Sequence, residues 1–168
     1  QANRGVLDPL YDYQSALIYE FIGDIENAHN SYKNIIKRSN NANAHVYARA
    51  AIFFANNNLQ DLYTETLNKL ETIDPYSNEL FILKKNENYA KKTKITNIKQ
   101  GISEVFLNSA EILFNEGLDR QALIYAQISS YLEPNSDSAN YLLGRIFKSI
   151  NNNERAIKYF KKVNEYSL

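Results

Sequence analysis

The chain contains no cysteine, no methionine and no tryptophan. Without cysteine, disulfides, thiol catalysis and thiolate metal sites are excluded. With no methionine even at residue 1, the sequence reads as an excised or processed piece of a longer protein. Only five glycines occur, scattered singly, so no glycine-rich phosphate loop is present. No Gly-x-Ser-x-Gly elbow occurs either. Charge of one sign is also missing: 19 basic residues stand against 19 acidic ones. No global field therefore draws the chain to nucleic acid or to an anionic membrane. No apolar run approaches the roughly 18–20 residues that cross a bilayer, so no membrane insertion is expected. Gln1-Ala2-Asn3-Arg4-Gly5 has no signal-peptide core.

What remains is the composition of a folded domain. Of 168 residues, 44% are hydrophobic and 23% charged, enough to bury a core and unlike a disordered chain. Length sets the expectation of a single domain over residues 1–168. Asparagine-rich loops such as Asn56-Asn57-Asn58 and Asn151-Asn152-Asn153 read as compositional bias with no special role.

The three prolines fall at helix boundaries. Asp8-Pro9 reads as an N-cap and first helical residue. Asp74-Pro75 and Glu133-Pro134 follow apolar helical stretches and end them. Between these breaks apolar residues recur at helical spacing: Ile18, Phe21, Ile22 and Ile25, then Ala28, Tyr32, Ile35 and Ile36. Leu123, Ile124, Ala126, Ile128, Tyr131 and Leu132 behave alike. Strand-like alternation is confined to Lys94 to Ile98. Gly23-Asp24 and Gly117-Leu118-Asp119 carry turn chemistry, with Asp24 and Asp119 expected to cap the following helices. Each hairpin is thus a helix of about 13 residues, a turn of about three, and a second similar helix.

A period organises these hairpins. Ala110, Ala122 and Pro134 are evenly spaced, and the same pattern returns at Gly144, Ala156 and Leu168. The period is about 34 residues, and a fixed period in this range marks a stacked helical array. The small residues sit where the two helices of a hairpin cross closely; a larger side chain would overpack, costing on the order of 1–3 kcal/mol.

Tyr141-Leu142-Leu143-Gly144-Arg145-Ile146-Phe147 followed by Glu154-Arg155-Ala156-Ile157-Lys158-Tyr159-Phe160 closely resembles a tetratricopeptide repeat. Residues 103–136 resemble the same repeat through Ala110, Leu113, Ala122 and Pro134. Residues 9–42 do so through Ala16, Tyr19, Gly23, Ala28 and Tyr32. Residues 44–77 do so through Ala51, Phe54, Leu67, Leu70 and Pro75, with Tyr63 in place of the small residue of the second helix. Residues 137–168 are then the last repeat. The resemblance thus covers most of the chain. It implies an all-α, right-handed superhelical solenoid of antiparallel helix hairpins, with about nine helices. More narrowly, the layout around Gly101-Ile102-Ser103-Glu104-Val105-Phe106 looks like that of long tetratricopeptide proteins of alphaproteobacteria.

The period fails once. Between Pro75 and Pro134 the chain runs well past one repeat but short of two, and residues 78–102 cannot hold a full hairpin. Glu79, Leu80, Phe81, Leu83 and Tyr89 read as one helix. Lys91 to Gln100 reads as a linker, and Gly101 opens the next repeat.

Enzyme chemistry finds little support. His29 and His45 are the only histidines, and no carboxylate cluster surrounds either in sequence, so no metal and no cofactor is expected. The lysines Lys84, Lys85, Lys91, Lys92, Lys94 and Lys99 stand against Glu87 alone. They make an RNA-binding surface the runner-up, but the run has no arginine and only Tyr89 for stacking, so nucleic acid is disfavoured.

The resemblance implies a partner groove lined by the first helix of each repeat. The inward positions are Tyr13, Leu17 and Glu20 in the first repeat, and His45 with Arg49 or Ile52 in the second. Glu104, Asn108, Glu111 and Asn115 follow in the third, and Tyr141, Arg145 and Lys148 in the fourth. Tyrosine and arginine at such places anchor interfaces. The family's clamp for a terminal carboxylate is missing: Ala48, Ile52 and Leu107 stand where its polar groups would be. Glu111 and Arg145 occupy equivalent places and are positioned to pair. The chain stops at the end of a repeat, leaving the face of Ile157 and Phe160 open to further sequence or to a second copy. The expectation is a non-catalytic scaffold that binds a protein or peptide in the bacterial cytoplasm or periplasm, with a homo-oligomer joined through the C-terminal end as the third reading.

Overall fold

The computed structural model describes residues 8–38, 42–85, 89–90 and 94–163. Among these, nine helices of eight residues or more account for nearly all the structure, and no strand occurs. They are α1 (Asp8–Ile22), α2 (Ile25–Arg38), α3 (Ala44–Asn56), α4 (Gln60–Ile73), α5 (Asn78–Lys85), α6 (Ile98–Asn115), α7 (Asp119–Leu132), α8 (Asp137–Ser149) and α9 (Asn153–Phe160). None is long and apolar enough to cross a membrane. The chain divides into two compact units, the first ending at Asn97 and the second starting at Ile98.

In the first unit α1 pairs with α2 and α3 with α4, and α5 packs on α3 and α4. Ten consecutive residues of α3, His45 to Phe54, are buried. A helix buried all round must be apolar or small on most of its faces, and Ala48, Ala50, Ala51, Ile52, Phe53 and Phe54 meet that need. Tyr32 of α2 packs its ring on Phe53 at 4.8 Å, with Phe54 edge-on at 6.2 Å. Tyr63, which replaces the small residue of α4, is half-buried, and its hydroxyl donates to the Leu83 carbonyl at 2.8 Å. That bond ties α4 to α5.

In the second unit α6 pairs with α7 and α8 with α9, and α8 also packs on α6 and α7. Its core is Leu107, Ala110, Ala122, Ala126, Ala139, Leu142, Leu143, Ile146, Phe147 and Ala156. The small residues of the period, Ala110, Ala122 and Ala156, are all in it. Gly144 is buried for a visible reason: a Cβ there would lie 2.5 Å from the Phe160 ring.

All four hairpins turn in the same way. Gly23, Asn58, Gly117 and Asn151 have φ of 78°, 58°, 74° and 62°. Each donates its N–H to the carbonyl three residues back, and the next residue donates to the carbonyl five back, as in Gly117 to Phe114 and Leu118 to Leu113. This is the Schellman closure of a helix end, which places one residue in the left-handed region. The second kind of connector also recurs. Ser77 and Ser136 cap α5 and α8 by accepting from the N–H groups of Leu80 and Ala139. Each follows an acidic-proline pair.

Asp24 does cap α2, accepting from the Asn27 N–H at 3.1 Å; bonds from Asn27 hold its carboxyl below the usual carboxylate range. Asp119 does not cap α7: Leu118 occupies the N-cap without a side-chain bond, and Asp119 is the first helical residue. There its charge still favours the helix N-terminus. Lys94 to Asn97 is irregular and Ile98 is already helical. So no strand forms there, and α6 begins ahead of Gly101. The ends of the chain, Gln1 to Leu7 and Asn164 to Leu168, lie outside the described residues.

Candidate partner-binding face

In the first unit the inward residues are used inside the fold. Tyr13 and Leu17 are buried in α1, and His45 and Ile52 in α3. Glu20 is buried too. Its carboxylate pairs with the Arg49 guanidinium and accepts from the Tyr32 hydroxyl at 2.9 Å. The three side chains belong to α1, α2 and α3, so the network bolts the first hairpin to the second. A buried charge requires such partners, because desolvation otherwise costs several kcal/mol per ion. Burial, reinforced by the Glu20 charge, pushes the Tyr32 hydroxyl well above the ordinary tyrosine pKa.

In the second unit the same register is covered less completely. Asn108 is buried in α6, and Glu104 is half-buried. Asn115 and Lys148 are exposed, and Tyr141 is half-buried. Arg145 reaches from α8 toward Glu111 of α6, 3.9 Å away, with 38% of the arginine side chain exposed and 12% of the glutamate. Its guanidinium lies over the Phe114 ring at 5.0 Å and near the Tyr141 ring at 5.9 Å. Tyr141 in turn packs against Phe160 at 5.9 Å. Aromatic faces attract the cation and fix its plane, and 38% of the arginine side chain remains exposed.

Phe114 and Phe160 are not among the inward positions that the sequence implies. Phe114 follows Glu111 by three positions on one helical face, which is the signal that could have found it. The lysine-rich segment is less free than its composition implies. Lys84 pairs with Glu71 at 2.7 Å, and Lys85 sits over the Phe81 ring at 4.1 Å. Lys94 and Lys99 are exposed, whereas Glu87, Lys91 and Lys92 lie outside the described residues. His29 packs edge-on to Phe54 at 6.2 Å. Among the described residues no three His, Asp or Glu side chains group as metal ligands.

Short turns, paired helices and small residues at their crossings define a helical-repeat protein. Residues 137–167 match the family model of the tetratricopeptide repeat. Helices α8 and α9 fill that match. No curated protein sequence matches it. Solved structures that resemble it include a MamA protein, 18% identical, covering 95% of this chain and 92% of that one at a TM-score of 0.42. PilF of Pseudomonas aeruginosa is also 18% identical, covering 93% of this chain and 75% of that one at a TM-score of 0.40.

Proposed function

We propose that the chain is a non-catalytic interaction scaffold, and that its protein or peptide partner docks on the first-helix face of the second unit. The observation that carries this reading is Arg145, which lies over the Phe114 ring and near the Tyr141 ring with 38% of its side chain exposed. Lys148 lies one turn further along α8, and Asn115 is exposed at the end of α6. A rigid arginine beside aromatic rings loses little entropy on binding and is the residue type that concentrates interface energy. Tyr13, Leu17, Glu20, His45 and Arg49 act differently in this reading. They stiffen the first unit by packing and by the Glu20–Arg49 pair, and they do not meet the partner.

The test is selection of random peptides on the intact chain, followed by titration of the selected peptides against Arg145→Gln. Loss of about tenfold or more in affinity, the size of a hot-spot contact, is expected. Peptides that bind the variant as tightly as the wild type would sink the reading. The RNA alternative draws less support, since Lys84 and Lys85 already have partners within the first unit. Nucleic-acid affinity depends on the number of cations free to meet phosphates.

A further inference from the structure

Positive charge gathers a second time, over residues 145–162. Arg145, Lys148, Arg155, Lys158, Lys161 and Lys162 are opposed there by Glu154 alone. Arg155, Lys158 and Lys162 follow one another by three and four residues and form one stripe along α9 and the turn that ends it. All three are exposed. Two of them are held in place. Arg155 lies over the Phe147 ring at 5.6 Å and Lys162 over the Tyr159 ring at 5.0 Å, and those rings stack on each other at 5.4 Å. Attraction of cations to the C-terminal end of a helix accounts for Lys158, Lys161 and Lys162. It does not account for Arg155 in the first turn, nor for Ile157, 55% exposed beside the stripe. Like charges three and four apart repel, so this stripe carries a cost that an outside anion would relieve.

The complementary pattern exists on the same chain. On α4, Asp61, Glu65 and Asn68 follow one another by four and three residues and are exposed. Lys69, on the same helix, donates to the Ile36 carbonyl and stands 3.7 Å from Glu65. We propose that the α9 stripe of one molecule docks antiparallel on α4 of a second copy, with Lys162 facing Asp61, Lys158 facing Glu65 and Arg155 facing Asn68. The spacing of four then three residues is the same on both strips when they run in opposite directions. Two different surfaces meet, so the association is head-to-tail and extends or closes into a ring. Both strips are on second helices, so this inference stands apart from the partner face on the first helices.

Sedimentation velocity on the intact chain tests it. At about 1 mM protein and about 20 mM salt, where screening is weak, the wild type self-associates, and near 0.5 M salt the association falls by about tenfold or more. Lys158→Glu with Lys162→Glu abolishes it, as does Asp61→Lys with Glu65→Lys, while circular dichroism stays unchanged. An equimolar mixture of the two charge-reversed proteins associates again. A wild type that stays monomeric at low salt overturns the proposal. So do reversed variants that associate as the wild type does, and so does a mixture that remains monomeric.

Discussion

Gly23, Asn58, Gly117 and Asn151 do one job in four hairpins: each holds a positive φ at the helix end. Glycine adopts that conformation without a Cβ penalty, and asparagine tolerates it better than other residues. Asn151→Ala should therefore cost about 1 kcal/mol, and Asn151→Gly should be neutral or stabilising. Thermal unfolding of the two variants checks the order; equal melting temperatures would contradict it. In the sequence these asparagines look like compositional bias. Aligning them with Gly23 and Gly117 by the hairpin period exposes their role, although the sign of φ is not itself written in the residue type. Gly144 makes a second residue-scale case. Replacing it with alanine gains about 1 kcal/mol of helix propensity. It also drives a methyl into the Phe160 ring, at about 1–3 kcal/mol of overpacking. The net expectation is a lower melting temperature for Gly144→Ala, recovered when Phe160→Leu is added. An increase for the single variant would show that the ring moves aside freely.

Between elements, the Glu20–Arg49–Tyr32 network ties three helices of the first unit. Arg49→Met leaves a buried carboxylate without its cation and should destabilise by about 3–5 kcal/mol. Adding Glu20→Met removes the stranded charge and should recover much of that loss, measured by urea denaturation. The same network sets a pH dependence. The Tyr32 pKa is raised in the folded state, so the folded state keeps a proton that the unfolded chain releases above the ordinary tyrosine pKa near 10. Stability should thus fall as pH rises past about 10, and Tyr32→Phe should flatten that slope. An unchanged slope would remove Tyr32 as its cause. The resemblance to the repeat family implies an inward face for Glu20 and Arg49, but it cannot tell what covers that face. The two residues lie on different hairpins, far apart in sequence, and no local pattern announces the pair. The connectors are more legible than their composition suggests. Asp74-Pro75-Tyr76-Ser77 and Glu133-Pro134-Asn135-Ser136 cap the next helix through the same serine bond. Residues 78–85 therefore start as the first helix of a further repeat does.

For the whole molecule, the all-α hairpin class is readable from the echo of Ala110 and Ala122 in Gly144 and Ala156, because small residues at helix crossings are a packing requirement and recur with the packing. The break in that echo also falls where the chain divides into two units, at Asn97 and Ile98. The division of labour is not readable. Equivalent first-helix positions are buried in the first unit, whereas in the second Asn108 is buried, Glu104, Glu111, Tyr141 and Arg145 are half-buried, and Asn115 and Lys148 are exposed, which depends on tertiary cover. If the account is right, Ala110→Leu and Ala122→Leu, both at fully buried sites, lower the melting temperature by an amount corresponding to about 1–3 kcal/mol. Unchanged melting would contradict the close crossing of α6 and α7. The central claim is that the partly exposed first-helix face of the second unit is where a partner sits. Hydrogen exchange on the intact chain, with and without a peptide selected on it, tests this most directly. The account predicts added protection in α6 around Phe114 and in α8 around Tyr141 and Arg145. Protection confined to the first unit, or to α7 and α9, would contradict it.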